Sequence, residues 1–197
     1  MLNEFYDGDA METAAVAPAR RSLVCGALVL LACSGVASHA QPASPAPPPN
    51  LVKISEKVTT AGQPSAAWLR TVKQQRFDAV IYLAPPTVMD AIKEEPDIVR
   101  GQGVVFINIP IVFSNPTEQD FDAFSRAMDS LKGKRVLVHC QVKMRASVMM
   151  FLYRTIHLKH DPLTAYDAVT RVWSPHGPWK TLIQQQLRKH AIAFDPF

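Results

Sequence analysis

Arg135-Val136-Leu137-Val138-His139 is a short, almost uninterrupted apolar run. It is too brief for a core helix and too apolar to leave one face wet. It reads as a strand covered on both sides. A sheet of such strands needs helices above and below it, joined by crossover connections. The chain from residue 51 onward supplies both kinds of segment. Residues 51–55, 58–61, 78–84 and 104–109 read as further strands. Ser65 is placed to cap a helix to about residue 76, with Trp68, Leu69 and Val72 on one face. Residues 87–102 read as a helix interrupted at Pro96. Over 117–131, Phe121, Phe124, Met128 and Leu131 form one stripe behind the N-cap Thr117, and Gly133 closes that helix. Helices are also expected over 145–158, from Pro162 to Trp173, and over 179–192. The expected fold class is α/β, a three-layer, mostly parallel sheet flanked by helices.

The first 40 residues do not fit that plan. Arg20-Arg21 precedes an unbroken small and apolar run from Leu23 to Cys33. This is the order of a secretory signal peptide, and the run is shorter than the ~20 residues a membrane-spanning helix needs. Ser38-His39-Ala40 offers small residues at the positions a signal peptidase reads, which places cleavage before Gln41. Two variants stay open. Leu30-Leu31-Ala32-Cys33 resembles a lipoprotein box with a lipid anchor at Cys33, and Arg20-Arg21-Ser22-Leu23 resembles a twin-arginine signal. Glu4, Asp7 and Asp9 are unusual ahead of a signal, and Met11 is an alternative start. Residues 41–50 read as a Pro/Ala-rich linker and 51–197 as one domain. The expected location is the periplasm.

Residues 41–197 hold 19 basic and 13 acidic residues, a net charge of +6. This balance favours anionic partners. No basic cluster is interleaved with aromatics, so nucleic acid is not an expected partner. Two of the three cysteines, Cys25 and Cys33, fall in the signal, which leaves Cys140 alone after cleavage. A lone thiol in an oxidising compartment is a liability unless it is buried or used.

Cys140 follows the strand directly, and the helix begins near Arg145. A loop between a strand and a helix N-terminus turns its backbone N–H groups inward, which makes an anion cradle. The same field stabilises a thiolate and lowers a cysteine pKa, so Cys140 is expected to be ionised at neutral pH. Arg145 adds a planar fork of donors matched to a tetrahedral oxyanion. Thiolate, guanidinium and cradle together can attack phosphorus or carry a thiol-bound group. Gln141, Val142, Lys143 and Met144 line the loop as substrate-binding candidates, with Ser147 and His139 at its ends. His139 reads as a residue that orients the loop by a hydrogen bond rather than as a base. There is no metal-ligand spacing, no Gly-rich nucleotide fingerprint and no serine-hydrolase elbow, and no cofactor is expected.

His139-Cys140 followed by Arg145, between an apolar strand and a helix, resembles the signature of cysteine-dependent phosphatases. The wider chain resembles a bacterial dual-specificity and tyrosine phosphatase-like family, in the branch related to the phosphatase-like domain of beta-lactamase-hydrolase-like proteins. Ala61-Gly62-Gln63-Pro64-Ser65 is similar to that branch's Gly-Gln-Pro turn. Residues 78–83 are similar to its next strand, and Ile107-Asn108-Ile109-Pro110 to the strand and proline after that. The resemblance spans roughly residues 52–158. It implies a phosphatase-like hydrolase that forms a phosphocysteine on Cys140, with Arg145 gripping the phosphoryl group.

Three features depart from the phosphatase pattern. Four residues separate Cys140 from Arg145, one fewer than in ordinary tyrosine phosphatases and the same as in that branch. Lys143 stands where the branch usually has glycine, which costs energy if the position needs positive φ. The loop 111–117 carries no carboxylate where the resemblance implies a general acid; Glu118 and Asp120 follow it, and Asp120 is the expected substitute. A smaller ring also suits a persulfide-carrying sulfurtransferase of the rhodanese type. The acid-free loop admits an anion-binding module without activity. The expected substrate is accordingly anionic, a phosphate ester or a sulfur oxyanion.

Overall fold

The computed structural model describes residues 44–197. The expected signal peptide, the cleavage before Gln41 and the anchor at Cys33 lie outside the described residues. Of the expected linker, residues 44–50 are described, and their end is fastened to the domain. The Pro49 carbonyl accepts the Gly62 N–H at 2.7 Å, and Asn50 Nδ2 donates to the Val142 carbonyl. Among the described residues, no helix is long and apolar enough to cross a membrane.

Five strands form one sheet: β1 (Val52–Lys53), β2 (Val58–Ala61), β3 (Ala79–Tyr82), β4 (Val105–Asn108) and β5 (Val136–His139), in the order β1-β2-β5-β3-β4. Only β1 runs antiparallel, against β2, and the remaining pairings are parallel. The expected mostly parallel α/β sheet is thus observed. β5 is central, and all four of its residues are buried, as are those of β3. The register aligns Ala61 and Tyr82 with His139. Three strand ends therefore finish together at the C-terminal edge of the sheet, immediately before Cys140. Ligands of open α/β sheets collect at such edges.

The helices are α1 (Ala66–Leu69), α2 (Glu95–Arg100), α3 (Glu118–Ser130), α4 (Met144–Ile156), α5 (Pro162–Thr170) and α6 (Pro178–Lys189). α1 is shorter than expected: Ser65 caps it, but the chain passes into turns after Arg70 and reaches φ +66° at Arg76. Pro96 lies in the first turn of α2 instead of interrupting a longer helix, because a missing N–H is harmless there. α4 is buried nearly all round, from Arg145 to Ile156, and packs against α5 and α6. That burial fixes the helix, and with it the end of the Cys140 loop.

Candidate active site

The chain turns from β5 into α4 in four residues, Cys140 to Lys143. Lys143 makes the turn with φ +77° and serves as the N-cap of α4. Its backbone is left-handed, as anticipated for a position where glycine would be less strained. The backbone N–H groups of Lys143, Arg145 and Ala146 lie on the Cys140 side of the turn and favour its ionised form. Ala146 lies beyond the loop residues expected to line the cradle.

Cys140 is fully buried and free. Burial pushes its thiol up, and the Ala146 N–H, the Arg145 guanidinium and the N–H groups of Arg145 and Lys143 pull the other way. The net direction in this closed arrangement is upward. Desolvation therefore opposes the donors on which the expectation of a thiolate at neutral pH rests.

Arg145 is buried and held on three sides. Its Nε donates to the Ile111 carbonyl at 3.0 Å and its Nη1 to Gln141 Oε1 at 3.2 Å, and the guanidinium lies 5.1 Å from the Phe113 ring centroid. Phe113 is packed by Trp173 and Trp179, and the Trp179 indole donates to the Phe113 carbonyl. The loop after β4 therefore positions the arginine rather than supplying an acid. Gln141 bridges outward as well: its Nε2 donates to Asp90 Oδ1 at 2.7 Å. Asp90 is exposed, and it is the carboxylate that the structure ties to the Cys140 loop.

The remaining candidates are dispersed. Asp120, the expected acid, is engaged in a capping box at the start of α3, where its Oδ2 accepts from the Thr117 N–H and hydroxyl, both at 2.8 Å. The spacing Thr117-x-x-Asp120 carried that signal in the sequence. The Ser147 hydroxyl donates to the Met144 carbonyl and accepts from Trp173 Nε1. Val142 is exposed at the loop, and Met144 is the first residue of α4. The Lys143 side chain lines a cleft with β1 and α5 in which Cys140 and Arg145 take no part.

His139 lies directly before the Cys140 loop, where it can orient it. It is fully buried, stacks on Tyr82 with centroids 4.9 Å apart, and lies 2.6 Å from Glu95 Oε1. Glu95, which the sequence reading overlooked, also accepts from Gln63 Nε2 at 2.9 Å. Gln63 in turn donates its N–H to the Gln141 carbonyl at 2.7 Å. Gly62 is required beside it: a Cβ there would stand 2.8 Å from that same carbonyl oxygen. The Gly62-Gln63 turn, Glu95 and His139 form one frame that holds the loop from below.

No family model matches the chain. A "Beta-lactamase hydrolase-like protein" of Xylella fastidiosa is 28% identical over 126 residues, which are 58% of this chain and 28% of the relative. The chain thus spans little more than a quarter of the length of that curated relative. Among solved structures, a DUF442 candidate phosphatase of Shewanella putrefaciens CN-32 superposes with a TM-score of 0.67 at 29% identity, over 72% of this chain and 93% of that one. Tk-PTP in its active form gives 0.61 at 20% identity, covering 72% and 98%. The core catalytic domain of the S. cerevisiae PP-IP phosphatase SIW14 gives 0.57 at 16% identity, covering 75% and 88%. The kinship expected from the sequence is found: the chain has the fold of the tyrosine and dual-specificity phosphatase-like proteins, and its sequence is similar to the DUF442 and beta-lactamase-hydrolase-like proteins.

Proposed function

We propose that the chain is a cysteine-dependent phosphatase-like hydrolase acting on a phosphate ester through a phosphocysteine. The observation that carries this reading is the convergence of three backbone N–H groups and the Arg145 guanidinium on one cysteine at the end of a parallel sheet. Cys140 loses its proton to water as the site opens to substrate. Its sulfur then attacks phosphorus, and the bond from phosphorus to the ester oxygen breaks. The loop amides and Arg145 stabilise the charge spread over the phosphoryl oxygens. Asp90, brought to the loop by Gln141, gives a proton to the departing oxygen. Water, deprotonated by Asp90, then displaces sulfur from phosphorus, which releases phosphate and restores the thiolate.

A second reading keeps the same cysteine as a persulfide carrier. The four-residue spacer between Cys140 and Arg145 favours it. Steady-state turnover of an aryl phosphate by wild type and Cys140→Ser tests the first reading. Loss of phosphate release in the variant is expected, and equal release by both proteins overturns it. The order of Arg20-Arg21, apolar run and Ser38-His39-Ala40 supports export to the periplasm. N-terminal sequencing of exported protein tests this, with Gln41 as the expected first residue.

A further inference from the structure

Lys143 is 1% exposed, yet no carboxylate pairs with it: the three ion pairs among the described residues are Lys53–Glu56, His139–Glu95 and Lys189–Glu118. A side chain this buried, whose ammonium meets only the cleft and no carboxylate, is costly unless something compensates it. Lys143 lines a cleft of about 190 Å³ between β1, α4 and α5, together with Lys53, Arg154 and Arg171. Lys53 is neutralised by Glu56, and Arg154 donates to His160 Nδ1 and the Ala165 carbonyl. Asp167 is the single carboxylate lining the cleft, and Thr164 contributes a hydroxyl already bonded to Asp161. Like charges on Lys143 and Arg171 therefore face one space. Burial and the neighbouring Arg171 push the Lys143 ammonium down to about 8. The left-handed backbone at Lys143 adds strain that glycine would avoid.

We propose that this cleft is a second anion site, distinct from the Cys140 cradle, which takes a small tetrahedral oxyanion of the phosphate class between Lys143, Arg171 and Arg154. An oxyanion supplies the missing counter-charge and accepts charge-assisted hydrogen bonds from three cationic side chains. Lys143 also contributes its backbone N–H to the cradle, so the two sites share one residue and the occupant of the cleft holds the N-cap of α4. The proposal stands whether or not Cys140 turns over a phosphate ester.

Calorimetric titration with inorganic phosphate, in low-salt buffer free of other oxyanions, tests it on the full chain. The expected result is one binding event that survives Arg145→Met, which cripples the cradle, and weakens about tenfold or more in Arg171→Met. Arg171 is exposed, so that variant is expected to unfold at the wild-type temperature, checked on the same preparation. Asp167→Asn removes the competing carboxylate and is expected to tighten the event. Loss of all phosphate binding in Arg145→Met, or binding indifferent to Arg171→Met and Asp167→Asn alike, overturns the second site. Failure of the phosphatase reading shows separately, as absence of aryl phosphate turnover.

Discussion

Glu95 Oε1 lies 2.6 Å from His139 Nε2, and both side chains are closed to solvent. The pair ties the start of α2 to the residue before Cys140. It is the part of the frame most exposed to a single substitution, because removing either partner leaves a polar group buried without its counterpart. Glu95→Ala should lower the unfolding free energy by about 3–5 kcal/mol. Glu95→Gln, which keeps the shape and one acceptor oxygen and can bond both neighbours if Gln63 turns its amide over, should lose clearly less. Denaturant unfolding of the two variants decides this, and a loss under about 1 kcal/mol in the alanine variant contradicts the role.

Gly62→Ala should impair turnover more than stability. The new Cβ would meet the Gln141 carbonyl oxygen and the Pro49 ring, each at 2.8 Å. Relief moves the loop that carries the cradle, and displacements near 1 Å cost about 10²-fold in rate. Turnover and melting temperature measured together check it. Equal activity in the variant would show that the turn does not position the loop.

The strands, α3 and α4 were legible in the sequence because each carries its own signal. β5 is a continuous apolar run, α3 has a one-sided stripe behind Thr117, and α4 is a long apolar stretch after the loop. Cys140 and Arg145 were legible for the same reason: strand, loop and helix adjoin in sequence. Glu95 was not, since Glu94-Glu95-Pro96 reads as an exposed charged turn, and its burial arises only when α2 packs across to His139 and Gln63. Asp90 likewise becomes relevant only through Gln141, fifty-one positions away. The capping role of Asp120 is local and is written in its spacing to Thr117.

Asp90→Asn should separate substrates by leaving group. With an alkyl phosphate, whose oxygen departs poorly unprotonated, the rate should fall about 10²–10⁴-fold. With p-nitrophenyl phosphate, whose phenolate leaves readily, the fall should be much smaller. Equal losses on both substrates contradict the assignment of the acid.

Arg145→Met should raise the pH at which Cys140 becomes reactive. The guanidinium favours the thiolate, while burial disfavours it and remains in the variant. Removing the cation therefore moves the thiol further upward, and at a fixed pH below the inflection the thiolate fraction falls. The rate of iodoacetamide alkylation against pH reports the shift. A profile unchanged from wild type, or moved to lower pH, contradicts the electrostatic coupling of the two residues.

The most direct test of the central claim is rapid-quench mass spectrometry of the wild-type chain mixed with excess aryl phosphate. A transient increase of about 80 Da, one phosphoryl group, mapped to the peptide containing Cys140 is the predicted result. It should be absent in Cys140→Ser. No adduct under turnover conditions, together with a stable gain of about 32 Da on Cys140 after thiosulfate, would contradict the phosphocysteine and assign the cradle to sulfur transfer.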